Sequence, residues 1–407
     1  GGVAMIVRET YMKKIRSFMD RPVVKVISGM RRCGKSVLLE LTKEELLKRG
    51  VLKEQIFSVN FESLQYEDLK DYKALHKAIL SASKDAKGRL YLFIDEIQEV
   101  ESWEKVVNSI RVDCDCDIYI TGSNARLLSG ELATLLSGRY VEIRVFPLSF
   151  GEYLTFAKTN EDEAMLSQEQ HFAHFLRYGG LPGIHEMKWD ETALMQYLSD
   201  MFNSILLKDV VKRNNIRDID LLERVILYLF DNIGNTFSAK TISDFLKNQG
   251  RKLSTETVYT YINALESAFL IHKVGRFDIK KKRLLETQEK YFVSDLGLRH
   301  ATMGYRNNDI GGVLENVVYL ELLRRGWSIT IGKQGSCEVD FVATKTNERV
   351  YIQVCYVLTE YNTQREFAPL EAIDDNYEKI VLSTDSLMSF NHKGIRQRNI
   401  IEFLLDT

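Results

Sequence analysis

The chain has 407 residues, of which 45% are hydrophobic and 28% are charged. This composition is typical of a globular protein, and at roughly 100–200 residues per domain the length predicts two to four domains. The formal net charge is −2, from 55 Lys and Arg against 57 Asp and Glu. This charge balance excludes a uniformly basic protein that coats nucleic acid, although it does not exclude a local basic patch.

Cysteine usage and apolar runs indicate the compartment. The five cysteines are Cys33, Cys114, Cys116, Cys337 and Cys355. Their number is odd and their spacing is not that of a zinc site, so we expect a reducing cytoplasm. The longest apolar run, 225–230, is far shorter than the roughly 20 residues that span a bilayer, so no membrane segment is expected.

The first 150 residues alternate strand and helix signals. Apolar, β-branched runs predict strands at 23–28, 55–61, 91–95, 118–121 and 140–146. Helical periodicity predicts helices at 35–49, 72–83 and 103–111. Strands alternating with helices predict an α/β fold with a doubly wound parallel sheet.

The pattern changes after Pro147. Helical periodicity continues to about residue 235, and a small helix-turn-helix unit follows, with a helix at 254–270 and short strands at 271–277 and 283–285. Helix, helix and hairpin is the order of a winged helix. From Gly311 the signals run helix, three strands, helix and strand, which predicts a further α/β domain.

A phosphate-binding loop follows the first strand. Residues Gly29–Ser36 fit G-x-x-x-x-G-K-[ST], after a predicted strand and before a predicted helix. The glycines allow backbone N–H groups to surround phosphates, Lys35 reaches the β- and γ-phosphates, and Ser36 ligates Mg²⁺. The predicted nucleotide-binding residues are Gly29, Arg32, Cys33, Gly34, Lys35, Ser36 and Val37.

The third strand ends in two acids, Asp95 and Glu96. We predict that Asp95 holds the magnesium ion and that Glu96 is the general base for water. One extra strand, 55–61, separates this strand from the phosphate loop in the chain. That order is typical of P-loop ATPases whose sheet has a strand between the two motif strands.

Two further polar positions are catalytic candidates. The strand at 118–121 leads into Ser123 and Asn124, and either is a candidate to sense the γ-phosphate, with a helix N-cap as the alternative. Arg139 precedes the next strand and is either a finger for a neighbouring subunit's nucleotide or a surface arginine. No Asn-Lys-x-Asp guanine signature is present, which favours ATP.

These motifs together resemble the prokaryotic AAA-type ATPase family that carries a C-terminal domain of unknown function and is related to archaeal ATPases of the STAND branch. The segments that carry the resemblance are Gly29–Ser36, Phe93–Gln98, Thr121–Asn124, Leu136–Arg139, Pro147–Tyr153 and Gly179–Pro182. The resemblance covers nearly the whole chain and implies ATP binding. It also implies that Gly179–Pro182 lies near the nucleotide in a helical lid.

Cys33 lies inside the phosphate loop. A helix N-terminus lowers a thiol pKa, so a redox-sensitive ATPase is one interpretation. The favoured interpretation is that the loop simply tolerates a small side chain at this position.

The predicted winged helix has a basic hairpin, Lys280–Arg283, that could contact phosphates. Its presumed recognition helix has no Arg or Lys after Ser254, whereas helices that read the major groove usually present Arg, Asn or Gln. DNA is therefore a partner that we do not favour.

The last domain resembles the restriction-endonuclease-like fold. Glu315 and Asp340 match two of its metal-binding acids. The third acid position is Gln353 and the lysine position is Cys355. A neutral amide and a mostly neutral thiol predict that this domain is not a competent metal nuclease.

The sequence therefore predicts a P-loop ATPase domain (1–150), a helical lid (151–234), a winged helix (235–290) and a nuclease-like domain (291–407). We predict an ATP- and Mg²⁺-dependent switch that acts on a protein partner, with a homo-oligomer if Arg139 serves a neighbour. The alternative is an ATP-dependent enzyme or nuclease acting on DNA.

Overall fold

The computed structural model describes residues 5–129, 134–136, 138–385 and 391–406. The chain forms two compact units. The first contains the residues up to 147 together with 267–269, and the second contains residues 148–266 and 270–407. The first unit thus ends close to residue 150, where the sequence predicts the end of the ATPase domain.

A parallel sheet forms the centre of the described part of the first unit. Its strands are β1 (Val24–Ser28), β2 (Ile56–Asn60), β3 (Leu90–Asp95), β4 (Cys116–Gly122) and β5 (Tyr140–Arg144). They lie in the order β2-β3-β4-β1-β5, and each neighbouring pair is parallel. The predicted α/β sheet is confirmed, and β4 is the strand that lies between the two motif strands.

Helices cover both faces of this sheet. They are α1 (Glu9–Phe18), α2 (Lys35–Lys48), α3 (Tyr72–Asp85) and α4 (Trp103–Asp113), with 3₁₀ turns at Lys53–Gln55, Leu64–Lys70 and Ile97–Glu99. Ile15 of α1 shares an apolar cluster with Ile27, and Ile79 of α3 shares another with Val26. Because successive strand residues point to opposite faces, β1 contributes to both clusters. Helix α1 is an element that our sequence analysis missed.

The second unit begins with helices. They are α5 (Phe150–Ala157), α6 (Gln168–Tyr178), α7 (Glu191–Ile205), which continues as a π-helix (Leu206–Lys212), α8 (Ile219–Asp231), α9 (Ala239–Asn248), α10 (Thr255–Ser267) and α11 (Leu296–Met303), with a 3₁₀ turn at Pro182–Glu186. In the ranges that the structure describes, no helix combines the length and the apolar character needed to cross a bilayer.

A mixed sheet occupies the rest of the second unit. Its strands are β6 (Ile271–Asp278), β7 (Arg283–Val293), β8 (Ser328–Gln334), β9 (Cys337–Lys345), β10 (Glu348–Val354), β11 (Glu378–Ser383), β12 (Asn391–His392) and β13 (Ile395–Asn399). The order is β12-β13-β11-β10-β9-β8-β6-β7. The accompanying helices are α12 (Ile310–Arg324), α13 (Thr363–Glu371) and α14 (Ile400–Leu405), with a 3₁₀ turn at Asn307–Asp309.

The hairpin β6–β7 belongs to this sheet, because β6 pairs in parallel with β8 through Arg276, Phe277 and Asp278. Strand β7 extends to Val293, whereas the sequence predicted an end at Leu285. The prediction was too short because residues 286–289 are polar and partly exposed, which ends the apolar alternation before the strand ends. The predicted domain boundary at residue 290 falls inside β7.

Candidate functional site

The phosphate loop connects β1 to α2 and depends on its glycines. Gly34 has φ +106°, which favours glycine because a Cβ atom strains that conformation. At Gly29, a Cβ atom would lie only 2.4 Å from the carbonyl oxygen of Val145. The two glycines of the motif therefore permit a backbone path that other residues would disturb.

Lys35 lies over this loop and is 4% exposed. Its Nζ donates hydrogen bonds to the carbonyl oxygens of Gly29 (2.7 Å) and Met30 (3.0 Å). The same Nζ lies 3.9 Å from Oε1 of Glu96. The ammonium group is thus already held where a phosphate chain wrapped by the loop would meet it.

Ser36 and Asp95 meet beside the loop. Ser36 Oγ donates a hydrogen bond of 2.5 Å to Oδ2 of Asp95, and Thr121 Oγ1 donates to Oδ1. Burial raises the pKa of Asp95, although the hydrogen bonds from Ser36 and Thr121 oppose this effect. A hydroxyl oxygen next to a carboxylate is a donor pair that suits Mg²⁺, which also takes phosphate and water oxygens. The residues present therefore fit the predicted ion.

Glu96 is buried and is surrounded by hydrogen-bond donors and cations. Its Oε2 accepts hydrogen bonds from Ser123 Oγ (3.0 Å) and from Gln98 Nε2. Burial acts to raise the pKa of this carboxyl, but the charges of Lys35 and Arg31 lower it. The bonds from Gln98 and Ser123 lower it further, so the pKa lies below its usual value. Glu96 is therefore an ionised carboxylate in this arrangement.

The two residues predicted as sensor candidates lie in different surroundings. Ser123 is buried and contacts Glu96, whereas Oδ1 of Asn124 accepts a hydrogen bond of 3.0 Å from the backbone N of Arg126 in its own turn. Residues two apart at a strand end share a face, so Thr121 and Ser123 point towards the acids together. That alternation was the sequence signal that could have favoured Ser123.

Arg31, which the sequence analysis did not assign, links the phosphate loop to two acids. Its NH1 donates to Oε1 of Glu62, and its NH2 lies 3.9 Å from Oε2 of Glu96. The side chain is 5% exposed. Its place at a variable position of the motif gave no signal for this role.

Arg8 is a second contributor that the sequence analysis missed. Its guanidinium donates to the carbonyl oxygens of Cys33 (2.9 Å) and Phe146 (2.8 Å) and stacks on the ring of Tyr11. Tyr11 Oη in turn accepts a hydrogen bond of 3.0 Å from the backbone N of Phe146. Through Arg8 and Tyr11, the segment that contains α1 thus contacts both the phosphate loop and the residues that follow β5.

The remaining predicted loop residues differ in exposure. Cys33 is fully buried, and burial raises the pKa of its thiol although Lys35 and Arg8 oppose this. A neutral, enclosed thiol does not favour the redox interpretation. Arg32 is exposed with φ +70°, and Val37 is 39% exposed in the first turn of α2.

Arg139 is exposed and does not join this group of residues. It precedes Tyr140, which pairs with Val24 at the amino end of the sheet. The phosphate loop follows the carboxyl end of β1, so the two lie roughly 15 Å apart at about 3.3 Å per strand residue. Ser137, from the same motif, lies outside the described residues.

The segment Gly179–Pro182 belongs to the second unit and packs against the start of α11. Gly180 N donates a hydrogen bond of 2.7 Å to Asp295 Oδ1. A Cβ atom on Gly179 would lie 2.4 Å from that same oxygen. These glycines therefore have a packing role around a buried carboxyl group.

The nuclease-like residues of the second unit also come together. Glu315 of α12, Asp340 of β9 and Gln353 of β10 line one cavity. Cys355 packs in an apolar cluster, and burial raises the pKa of its thiol to about 12. Lys290, from β7, donates to Glu315, and the sequence analysis missed it because it lies far from the motif in the chain. Across the described ranges, no three His, Cys, Asp or Glu side chains are arranged to hold a metal ion.

Family models match two parts of the chain. An AAA domain matches residues 21–154, and a domain of unknown function (DUF8612) matches residues 169–309. The first match covers the five-stranded sheet and the phosphate loop.

Two relatives match most of the chain. An uncharacterized protein from Haemophilus influenzae is 42% identical over 402 residues, which is 99% of both chains. Another from Methanocaldococcus jannaschii is 34% identical over 367 residues, covering 86% of this chain and 79% of the relative.

A solved structure of a Walker-type ATPase from Pyrococcus abyssi is similar with a TM-score of 0.52 and 16% identity. The match covers 73% of this chain and 96% of that one. At this identity the similarity concerns the fold.

Proposed function

Because the chain belongs to the family of AAA-domain proteins represented by the Haemophilus influenzae and Methanocaldococcus jannaschii relatives, we propose that it binds ATP with Mg²⁺ and hydrolyses it. The observation that carries this proposal is the convergence of Lys35, Ser36, Asp95 and Glu96 at the carboxyl end of one parallel sheet. The nucleotide state then acts as a switch for the C-terminal half of the chain.

The phosphate side of the site is supplied by two neighbouring residues. Lys35 leaves the carbonyl oxygens of Gly29 and Met30 and pairs with the β- and γ-phosphates, whose charge is a stronger partner. Ser36 and Asp95 would hold the magnesium ion. When bound, the ion neutralises phosphate charge in the transition state.

Glu96 is the proposed base because it is ionised and held in place. Its carboxylate accepts the proton of a water that attacks the γ-phosphate. Ser123 and Gln98 both bond to Oε2, which leaves Oε1 to face Lys35 and the phosphates. Of the two sensor candidates, Ser123 and Asn124, we therefore propose Ser123 as the residue that senses the γ-phosphate.

Two substitutions test this assignment. Lys35→Ala should abolish ATP binding, measured with a fluorescent analogue, because a phosphate charge loses its partner. Glu96→Gln should bind ATP normally and hydrolyse it at least a hundredfold more slowly. Glu99→Gln, an exposed acid on the same turn, is the matched control. Equal hydrolysis by wild type and Glu96→Gln would contradict the proposed base.

The switch requires that the second unit respond to nucleotide. We propose that α9, α10 and the hairpin β6–β7 act as a winged helix and that the nuclease-like domain is an inactive interaction domain for a protein partner. The element order helix, helix, hairpin supports the first part. Hydrogen exchange of ATP-bound Glu96→Gln should differ from that of the ADP-bound wild type within residues 235–407. Identical exchange there would exclude a switch.

DNA action is the second candidate, and one observation favours it. The exposed basic turn Lys280–Arg283 lies on a hairpin that continues the sheet carrying Asp340. If this turn contacts phosphates, Lys281→Ala with Lys282→Ala should weaken DNA binding and reduce its salt dependence by about two counterions. If fluorescence-anisotropy titrations show the same DNA affinity for this variant and wild type, the switch that acts on a protein partner remains the proposed function.

A further inference from the structure

A cavity of about 600 Å³ lies in the second unit. Among its lining residues are Glu315, Glu338, Asp340 and Gln353. Carboxylates and an amide oxygen are ligands that hard divalent cations prefer. Three carboxyl groups so close together need a cation to balance their charge.

Asp340 and Gln353 already accept hydrogen bonds from backbone N–H groups. Asp340 Oδ2 accepts a hydrogen bond of 2.8 Å from the backbone N of Val354, and Gln353 Oε1 accepts one of 2.6 Å from the backbone N of Asp340. Burial and the neighbouring Asp340 raise the pKa of Glu315 well above its usual value. The amide oxygen of Gln353 is likewise occupied by the backbone.

Lys290 supplies the positive charge. Its side chain is only 2% exposed, and its Nζ lies 3.4 Å from Oε1 of Glu315 and 2.5 Å from Oε1 of Glu338. Burial acts to lower the pKa of this lysine, but Glu315, Asp340 and Glu338 raise it above its usual value. The ammonium is thus enclosed by the carboxyl groups of Glu315 and Glu338.

We propose that Lys290 is the resident cation of this site, and that its ammonium, between Glu315 and Glu338, occupies the position that a divalent ion would need. A divalent cation would have to approach a fixed positive charge within about 4 Å, which is strongly unfavourable in a buried setting. The donor set thus does not fit a metal while Lys290 is present. Removing the lysine should create a divalent-cation site, because Glu338 is 43% exposed and can turn towards the ion.

The test is manganese titration of the full chain by calorimetry without nucleotide. Wild type and Lys290→Arg, which both keep a cation, should bind no ion at this site. Lys290→Met should bind one Mn²⁺ that wild type does not bind, so its apparent Mn²⁺ affinity at this site should exceed the wild-type limit at least tenfold. Adding Asp340→Asn to Lys290→Met should remove that gain, which distinguishes this site from the phosphate loop.

Loss of the lysine also leaves carboxylates unpaired, so stability is a second measurement. Mn²⁺ should raise the Tm of Lys290→Met and not that of wild type. Lys290→Gln, which keeps a hydrogen-bond donor, gives the same expectation if the methionine variant does not fold. A folded neutral variant that gains no ion would overturn the proposal. Wild-type Mn²⁺-dependent cleavage of single- or double-stranded DNA that Lys290→Met abolishes would also overturn it, because the lysine would then be catalytic.

Discussion

Arg8 shows how a single residue can set the shape of the phosphate loop without touching a phosphate. Its buried guanidinium bonds to the carbonyl oxygen of Cys33 within the loop and to that of Phe146 after β5. Hydrogen bonds from a charged donor contribute about 1.5–3 kcal/mol each, and the loss of one would leave a buried carbonyl without its partner. Arg8 is thus a positioning residue for the loop.

Arg8→Met should therefore weaken ATP binding about tenfold, or about 1.4 kcal/mol, while kcat changes less. Fluorescence titration and steady-state kinetics measure the two effects separately. Lys13→Met, an exposed lysine on the same helix, should behave as wild type. A fall in kcat at unchanged affinity would show that Arg8 acts on the chemical step instead.

The sequence predicted the candidate-site residues that lie in one motif, and it missed neighbouring residues that other segments supply. Lys35 and Asp95 follow from their places after apolar strands. Arg8 was missed because no motif marks it, and Arg31 because it occupies a variable position. Their roles depend on contacts with Phe146 and Glu62, which are distant in the chain.

At the scale of elements, the segment Gly179–Pro182 and helix α11 pack together around the side chain of Asp295. This carboxyl group accepts hydrogen bonds from Gly180 N and Leu298 N. Burial nevertheless raises its pKa to about 6, from 3.8 in an exposed chain. Because the folded protein holds this proton more tightly than the unfolded chain, Asp295 lowers stability as the pH rises from about 4 to about 6.

Asp295→Asn removes this titration. The free energy of unfolding of wild type relative to the variant should fall by roughly 3 kcal/mol between pH 2 and pH 7, most of it between pH 4 and pH 6, and be flat above pH 7. Urea unfolding at a series of pH values measures this difference. The amide also loses one acceptor, which adds a constant offset at every pH. A pH-independent difference would show that folding does not raise the pKa of Asp295.

Strand β7 and helix α12 are joined by another buried group. Asn316 is fully buried, and its side chain accepts a hydrogen bond of 2.8 Å from Val293 N and donates one of 2.8 Å to Val293 O. The sequence placed β7 and α12 in different domains because polar residues 286–289 interrupt the strand signal. The pairing of Val293 with Asn316 depends on tertiary contacts, which local periodicity does not report.

Asn316→Ala should lower the free energy of unfolding by about 2–4 kcal/mol, since it leaves a buried N–H and a buried C=O without partners. Chemical denaturation monitored by circular dichroism measures the loss. Asn248→Ala, in the last turn of α9 and exposed, is the control and should change stability by less than about 0.5 kcal/mol. A loss of similar size in both variants would argue against the bridging role.

At the scale of the whole molecule, the candidate site of the first unit contains Glu96, the proposed base, and Lys35, the proposed phosphate-binding residue. The buried arginines near them are Arg8 and Arg31. Arg8 is committed to carbonyl groups, and Arg31 is paired with Glu62. The predicted finger, Arg139, lies at the opposite edge of the same sheet and is exposed. We propose that an arginine there serves a nucleotide on another subunit.

If Arg139 acts in this way, ATP turnover per subunit should rise with protein concentration, because the complete site forms only between two copies. Arg139→Ala should bind ATP normally and hydrolyse it about 10³-fold more slowly, the size of effect typical of arginine fingers. Mixing Arg139→Ala with Lys35→Ala should restore turnover, since the second variant offers its arginine to the intact site of the first. Mixing Arg139→Ala with the double variant Lys35→Ala, Arg139→Ala is the control and should stay inactive. Turnover that is independent of concentration, together with an inactive first mixture, would show that Arg139 is a surface residue and that each subunit completes its own site.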